Sequence, residues 1–186
     1  MHAGMRACHA AGLVVAMALA GCATAPPPAA RLGLMLPPAA LGASISVQQH
    51  LTVQRGGRTE DLDVALQVEP DAVDMVGLAF GQRVLTLHYD GAKLTSWRHA
   101  MLPSQVRAED VLEDVQLTLW PAAVIAAQLP AGWRIEEQGL HRTVYRDGEP
   151  VMQIAYSGAP RWSGTVLLDN LRYHYKLAIQ FAPNTD

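Results

Sequence analysis

The sequence predicts a mainly β protein with a small α insertion: about ten antiparallel strands curled into an incomplete β-barrel and covered by short helices. Three observations predict it. From Ile45 onward apolar residues recur at every second position, the period of a strand with one buried face. Turns containing Gly, Pro and Asp carry successive apolar sets onto a common side. In the middle of the chain the period changes from two to that of a helix, within a stretch punctuated by prolines.

The chain has 186 residues, half of them hydrophobic and 17% charged, enough for one domain with a sizeable core. Formal net charge is -3, and the cations are arginines apart from Lys93 and Lys176. They form no basic cluster, which argues against nucleic acid as a partner.

The N-terminus carries the strongest local signal. Arg6 and the apolar run from Ala10 to Leu19 have the charge and length of a secretory signal core. A spanning helix needs roughly 20 apolar residues, more than this run supplies. The run closes on Leu19-Ala20-Gly21-Cys22, which resembles the lipobox of bacterial lipoproteins. That resemblance implies a signal peptide over residues 1–21, with lipid on Cys22 as the mature N-terminus. Cys8 would leave with the signal, and a single remaining thiol can form neither an internal disulfide nor a zinc site by itself. One acyl chain binds a membrane marginally, at about 0.8 kcal/mol per buried CH2, whereas two or three hold effectively permanently. Residue 23 is alanine rather than aspartate. By resemblance to the sorting rule of enteric bacteria, this implies the outer membrane, with the domain facing the periplasm. Residues 22–43, rich in Ala and Pro, read as the lipidated cysteine and a semi-extended tether. Residues 44–183 then form a single β-rich domain.

The first strand alternates Ile45, Val47, Leu51 and Val53 with Ser46, Gln48, His50 and Thr52. Gly56-Gly57 suits a two-residue hairpin turn, where positive φ is required. Such a turn pairs Arg55 with Arg58, Leu51 with Leu62, Val47 with Leu66 and Ile45 with Val68. Pro70-Asp71 continues the register, so that Val68 faces Val73 and Leu66 faces Met75. For residues 84–89, a three-residue loop at Gly81-Gln82-Arg83 keeps Leu85, Leu87 and Tyr89 on the apolar side, and a two-residue loop would reverse them; the former is preferred. Asp90-Gly91 then brings Leu87 opposite Leu94.

Residues 109–119 open with Glu109 and Asp110, where a helix dipole favours acids. Val111, Leu112, Val115 and Leu119 share one helical face, and Glu113-Asp114 read as the solvated face. Pro121 opens a second short segment, 122–129, which Pro130 ends. Together they predict a helical lid near residues 108–129. Strands resume over approximately 133–137, 141–146, 150–157, 163–170 and 173–181. With Leu171-Arg172 as the last turn, Leu168 faces Tyr175, Val166 faces Leu177, and Trp162 reaches toward Phe181.

A sheet with one apolar face needs a cover. If the two helices roof it without filling it, a cavity is expected, lined by Leu51, Leu66, Leu87, Val115, Leu119, Trp120, Tyr175 and Leu177. If they fill it, the same residues form a packed core.

Catalytic signals are absent: the chain has no Gly-x-Ser-x-Gly elbow, phosphate loop or dinucleotide fingerprint. His50, His88 and His174 fall on the outward face and read as solvated. Neither an enzyme nor a metal or other cofactor is expected.

A lipobox, a strand meander, a two-helix interruption and a return to strands resemble the LolA/LolB lipoprotein carriers. Leu36-Pro37-Pro38-Ala39, Gly77-Leu78-Ala79-Phe80-Gly81-Gln82-Arg83, Val111-Leu112-Glu113-Asp114-Val115-Gln116-Leu117 and Gly158-Ala159-Pro160-Arg161-Trp162 resemble an uncharacterised proteobacterial lipoprotein family. Its members often accompany genes for aryl-polyene or fatty-acid-like synthesis. The carrier resemblance implies a curled sheet with a helical lid over an acyl-binding cavity, hence a membrane-anchored carrier of lipid or acyl cargo. The carrier's exposed apolar loop has no clear counterpart, since the tip expected here is the polar Gly81-Gln82-Arg83. The alternative is an accessory structural lipoprotein that docks a protein partner over a packed core.

Overall fold

Two five-stranded meanders, separated by two helices, join along the first and last strands of the chain. The computed structural model describes residues 31–182; the expected signal segment and Cys22 lie outside them. The first meander comprises β1 (Ile45–Arg55), β2 (Arg58–Glu69), β3 (Ala72–Ala79), β4 (Gln82–Tyr89) and β5 (Leu94–Arg98). Then come α1 (Ala108–Leu119) and α2 (Ala122–Ala126). The second meander is β6 (Trp133–Gln138), β7 (His141–Arg146), β8 (Glu149–Tyr156), β9 (Thr165–Asn170) and β10 (Tyr175–Phe181). All ten strands form one antiparallel sheet in the order β5-β4-β3-β2-β1-β10-β9-β8-β7-β6, which does not close on itself.

The first two hairpins have the register their turns dictate: Arg55 opposite Arg58, Leu51 opposite Leu62, Ile45 opposite Val68, then Leu66 opposite Met75. Three turns differ from the expectation. The β3–β4 turn is Phe80-Gly81, a two-residue loop, yet Leu85, Leu87 and Tyr89 still face the core. A register shift beside Gly77 and Leu78 leaves Val84 without a partner on β3, between Arg83 and Leu85, and restores the phase. The β4–β5 turn takes in residues 90–93, so Leu94 meets Tyr89 and Leu87 meets Ser96. The last turn takes in residues 171–174, so Tyr175 meets Asn170 and Leu177 meets Leu168. Each of these two slips is two residues, which preserves the face because side chains alternate with period two.

The sheet must curl, because one helix reaches much of its width. Helix α1 lies against edge strand β5 and also accepts hydrogen bonds from Arg142 on β7. Laid flat, the ten strands would span roughly 43 Å at their usual spacing, whereas a helix of this length measures roughly 18 Å.

Residues 31–43, expected as the end of the tether, belong to the folded domain. Leu34, Leu36 and Leu41 are buried, and Pro38–Leu41 form a short 3-10 turn. This strap runs along α1 on the side carrying Glu113, Gln116 and Trp120 while its 3-10 turn packs on β2 and β3, so the helix is flanked by both sheet and strap and only Glu109 of its residues is exposed. The solvated face expected for Glu113-Asp114 is therefore absent. Glu113 accepts from the backbone N–H of Gly33 (2.6 Å), and Gln116 both accepts from the N–H of Leu36 and donates to its carbonyl (2.9 Å each). These side chains meet the strap's backbone demand, which burial would otherwise leave unpaired.

At its C-terminus α1 offers carbonyls with no helical donor. Arg142, 1% exposed, donates to the carbonyls of Leu117 and Thr118, and the Tyr156 hydroxyl donates to Thr118 (2.7 Å). A cation at this end also complements the helix dipole. Glu137 balances the buried guanidinium at 2.6 Å and pairs with Arg161 as well.

Candidate functional site

Along β1 the inward-facing side chains change character. Ile45, Val47 and Gln49 are buried, Leu51 and Val53 are half-buried, and Arg55 is exposed. The same progression runs in reverse along β2, from exposed Arg58 and Glu60 through half-buried Leu62 to buried Val64, Leu66 and Val68. At one end the curled face is packed shut; at the other it opens.

The open end holds a cavity of about 480 Å3, within the usual range of small-molecule pockets. Its sheet wall comes from β1–β4 and β10, including Leu51, Val53, Leu62, Met75, Leu85 and Leu177. Facing them are Val111, Val115 and Leu119 of α1 and the segment before it, with Leu102, Pro103 and Val106. Gly77 of β3 also lines the space. A methyl group built there would meet Leu85 Cβ at 3.5 Å, an ordinary contact, so the missing side chain contributes free volume.

Five of the eight expected lining residues line this cavity: Leu51, Val115, Leu119, Tyr175 and Leu177. Leu66, Leu87 and Trp120 are not. They are 1%, 2% and 0% exposed and belong to the packed end, where the strap completes the core. The Trp120 indole N–H donates to the carbonyl of Pro37 at 3.1 Å, a contact that holds the ring toward the strap rather than the cavity. Trp162 is partly buried against the core and does not line the cavity either.

The cavity carries a polar cluster along one side, made by Arg31, Asp110, Asp114 and Tyr175. Arg31 lies 3.2 Å from Asp114 and 3.5 Å from Asp110, and the Tyr175 hydroxyl donates to Asp114. Burial pushes the Asp114 carboxyl up to about 6, against the opposing pull of Arg31 and the Tyr175 hydrogen bond. Glu113 is raised as well, again chiefly by burial. Sequence reasoning missed this cluster because Arg31 lay in the assumed tether.

The expected outward histidines are indeed exposed: His50 sits 2.9 Å from Asp63, and His88 sits 2.8 Å from Asp74. Among the described residues no group of three or more His, Cys, Asp or Glu could hold a metal ion. No helix among them is long and apolar enough to cross a membrane. A second, open concavity of about 510 Å3 on β1 and β7–β10 is bordered by polar side chains such as Gln54, Gln153 and Lys176. The expected polar tip of the β3–β4 hairpin is corrected too: its turn presents Phe80, 94% exposed.

Fold and site together define a mainly β protein with a partly open, largely apolar cavity between its sheet and a strapped helix. The chain belongs to a family described as a protein of unknown function (DUF3261), whose model matches residues 46–182. A search of curated proteins finds no match.

Proposed function

We propose that this domain binds a lipid or acyl cargo in the cavity beneath α1, and that it does so as a lipoprotein anchored through Cys22 to the outer membrane, facing the periplasm. The observation that carries the binding step is the space itself: about 480 Å3 bounded by Leu51, Val53, Leu62, Val111, Val115 and Leu177. Apolar side chains at a partly open wall gain from covering by a hydrocarbon at about 25 cal/mol per Å2 removed from water. The resemblance of residues 19–22 to a lipobox and the resemblance to the LolA/LolB carriers support a carrier role, and an exposed Phe80 supplies an apolar hairpin tip. A link to aryl-polyene or fatty-acid-like synthesis rests on the family resemblance alone. In this reading the protein performs no chemistry on its cargo.

The test uses the full chain carrying Cys22→Ser, purified without detergent. Organic extraction followed by mass spectrometry should release an acyl-containing molecule, and a fluorescent fatty acid should bind. Gly77→Leu should weaken probe binding by taking up cavity space, with a thermal midpoint near the parent's showing that the fold is kept. A parent protein that is empty and ignores the probe overturns the proposal.

A further inference from the structure

The mouth of the cavity holds two arginines that the fold places face to face. Arg55 ends β1 and Arg58 begins β2, directly opposite each other across Gly56-Gly57. Both side chains line the cavity, on the same inward face as Leu51 and Leu62. Two like charges directly opposite on a hairpin are destabilising, and no carboxylate is in ion-pair contact with either. Among the described residues neither arginine has an ion pair within 4.0 Å. Glu60 lines the same wall without pairing to either one. On the opposite wall Arg107 is already shared between Glu109 and Asp110, at 3.6 Å each. Tyr175, across from Arg55 on β10, spends its hydroxyl on Asp114. The cavity thus runs from a largely apolar interior, with the Arg31–Asp114 cluster along one side, to a rim where Arg55 and Arg58 have no ion-pair partner among the described residues.

We propose that Arg55 and Arg58 receive the anionic headgroup, a carboxylate or phosphate monoester, of a single-chain amphiphile whose tail occupies the cavity. This deepens the acyl-binding reading and rests on it. Guanidinium groups bind both headgroups through paired, charge-assisted hydrogen bonds. The arginines are exposed before binding, so little desolvation opposes the contact, and a bound anion removes their mutual repulsion.

The test compares dodecanoate, dodecyl phosphate and uncharged dodecanol at equal chain length, all below micelle formation, on the full chain carrying Cys22→Ser. At low salt one or both anions should bind at least about tenfold tighter than the alcohol, the scale of a hydrogen bond to a charged group. The advantage should shrink as ionic strength rises. Arg55→Gln/Arg58→Gln should remove that advantage, leave dodecanol affinity unchanged and leave the thermal midpoint near that of the parent. Whichever anion binds more tightly identifies the headgroup. Equal binding of anions and alcohol, or an unchanged preference in the double variant, overturns the headgroup proposal while the acyl-binding reading stands. Failure of all three probes to bind overturns both.

Discussion

The two ends of the curled face share strands, side-chain parity and a covering helix, yet one is solid and the other hollow. At the closed end, Leu66, Val68, Val73, Leu87 and Tyr89 meet Leu36, Trp120 and Ile125 with almost no exposure. At the open end, Leu51, Val53 and Leu62 of the same strands are only half-covered. The difference lies in the cover. The strap runs between α1 and the sheet strands at this end, accepts the Trp120 indole N–H at Pro37, and accepts the Tyr89 hydroxyl at the carbonyl of Met35 (3.2 Å). Over the rest of the face, among the described residues, α1 and the segment before it span the gap without filling it. Strand parity alone therefore does not decide where a cavity forms: the extent of the cover does, with the bare Gly77 of β3 adding to the space.

Substitution at the two ends should expose this contrast. Trp120→Ala should cost the most, about 3–5 kcal/mol, because neighbours on all sides cannot collapse into the space. A urea midpoint close to the parent's would show that the closed end is not packed as described. Gln116→Leu keeps the side chain's bulk but strands the N–H and carbonyl of Leu36. A loss of about 1–3 kcal/mol is expected from those unpaired buried groups, and an unchanged midpoint would remove the strap from the account. Leu51→Ala, on the open wall, should cost only about 1 kcal/mol because the side chain is already part-solvated, while weakening acyl-probe binding. Destabilisation equal to that of Trp120→Ala would erase the distinction between the ends.

The smallest effect concerns pH. The Asp114 carboxyl titrates near 6 in the fold against an ordinary value of 3.8, so between those values the folded state holds more protons than the unfolded one. Stability from this group is then greatest below about pH 4, falls as pH rises toward 6, and levels off above. Glu113, raised in the same direction, adds to the slope. Thermal midpoints measured from pH 4 to 7 should show a smaller decline in Asp114→Asn than in the parent. An identical decline would mean that the carboxyl ionises as it does in water.

Much of the sheet was legible because its rules are local. Gly56-Gly57 and Pro70-Asp71 fixed two registers residue by residue. Where turn length was misjudged, at residues 90–93 and 171–174, the error was an even number of positions and the buried set survived. At the β3–β4 hairpin the loop is one residue shorter than expected, and Val84, skipped in the pairing with β3, supplies the same change of phase. The site was less legible. Five lining residues were anticipated, whereas Leu66, Leu87 and Trp120 looked equivalent to them by periodicity and differ only in what lies above them. Glu113 and Gln116 read as polar helix positions because their partners, Gly33 and Leu36, are 80 residues away.

What the sequence alone determined is which side of each strand is greasy, since successive side chains point to opposite faces whatever the rest of the chain does. Where that grease is buried and where it lines a void was decided only by tertiary structure. That outcome depends on how far a strap and a helix from distant parts of the chain extend across the sheet, and no local pattern encodes that reach.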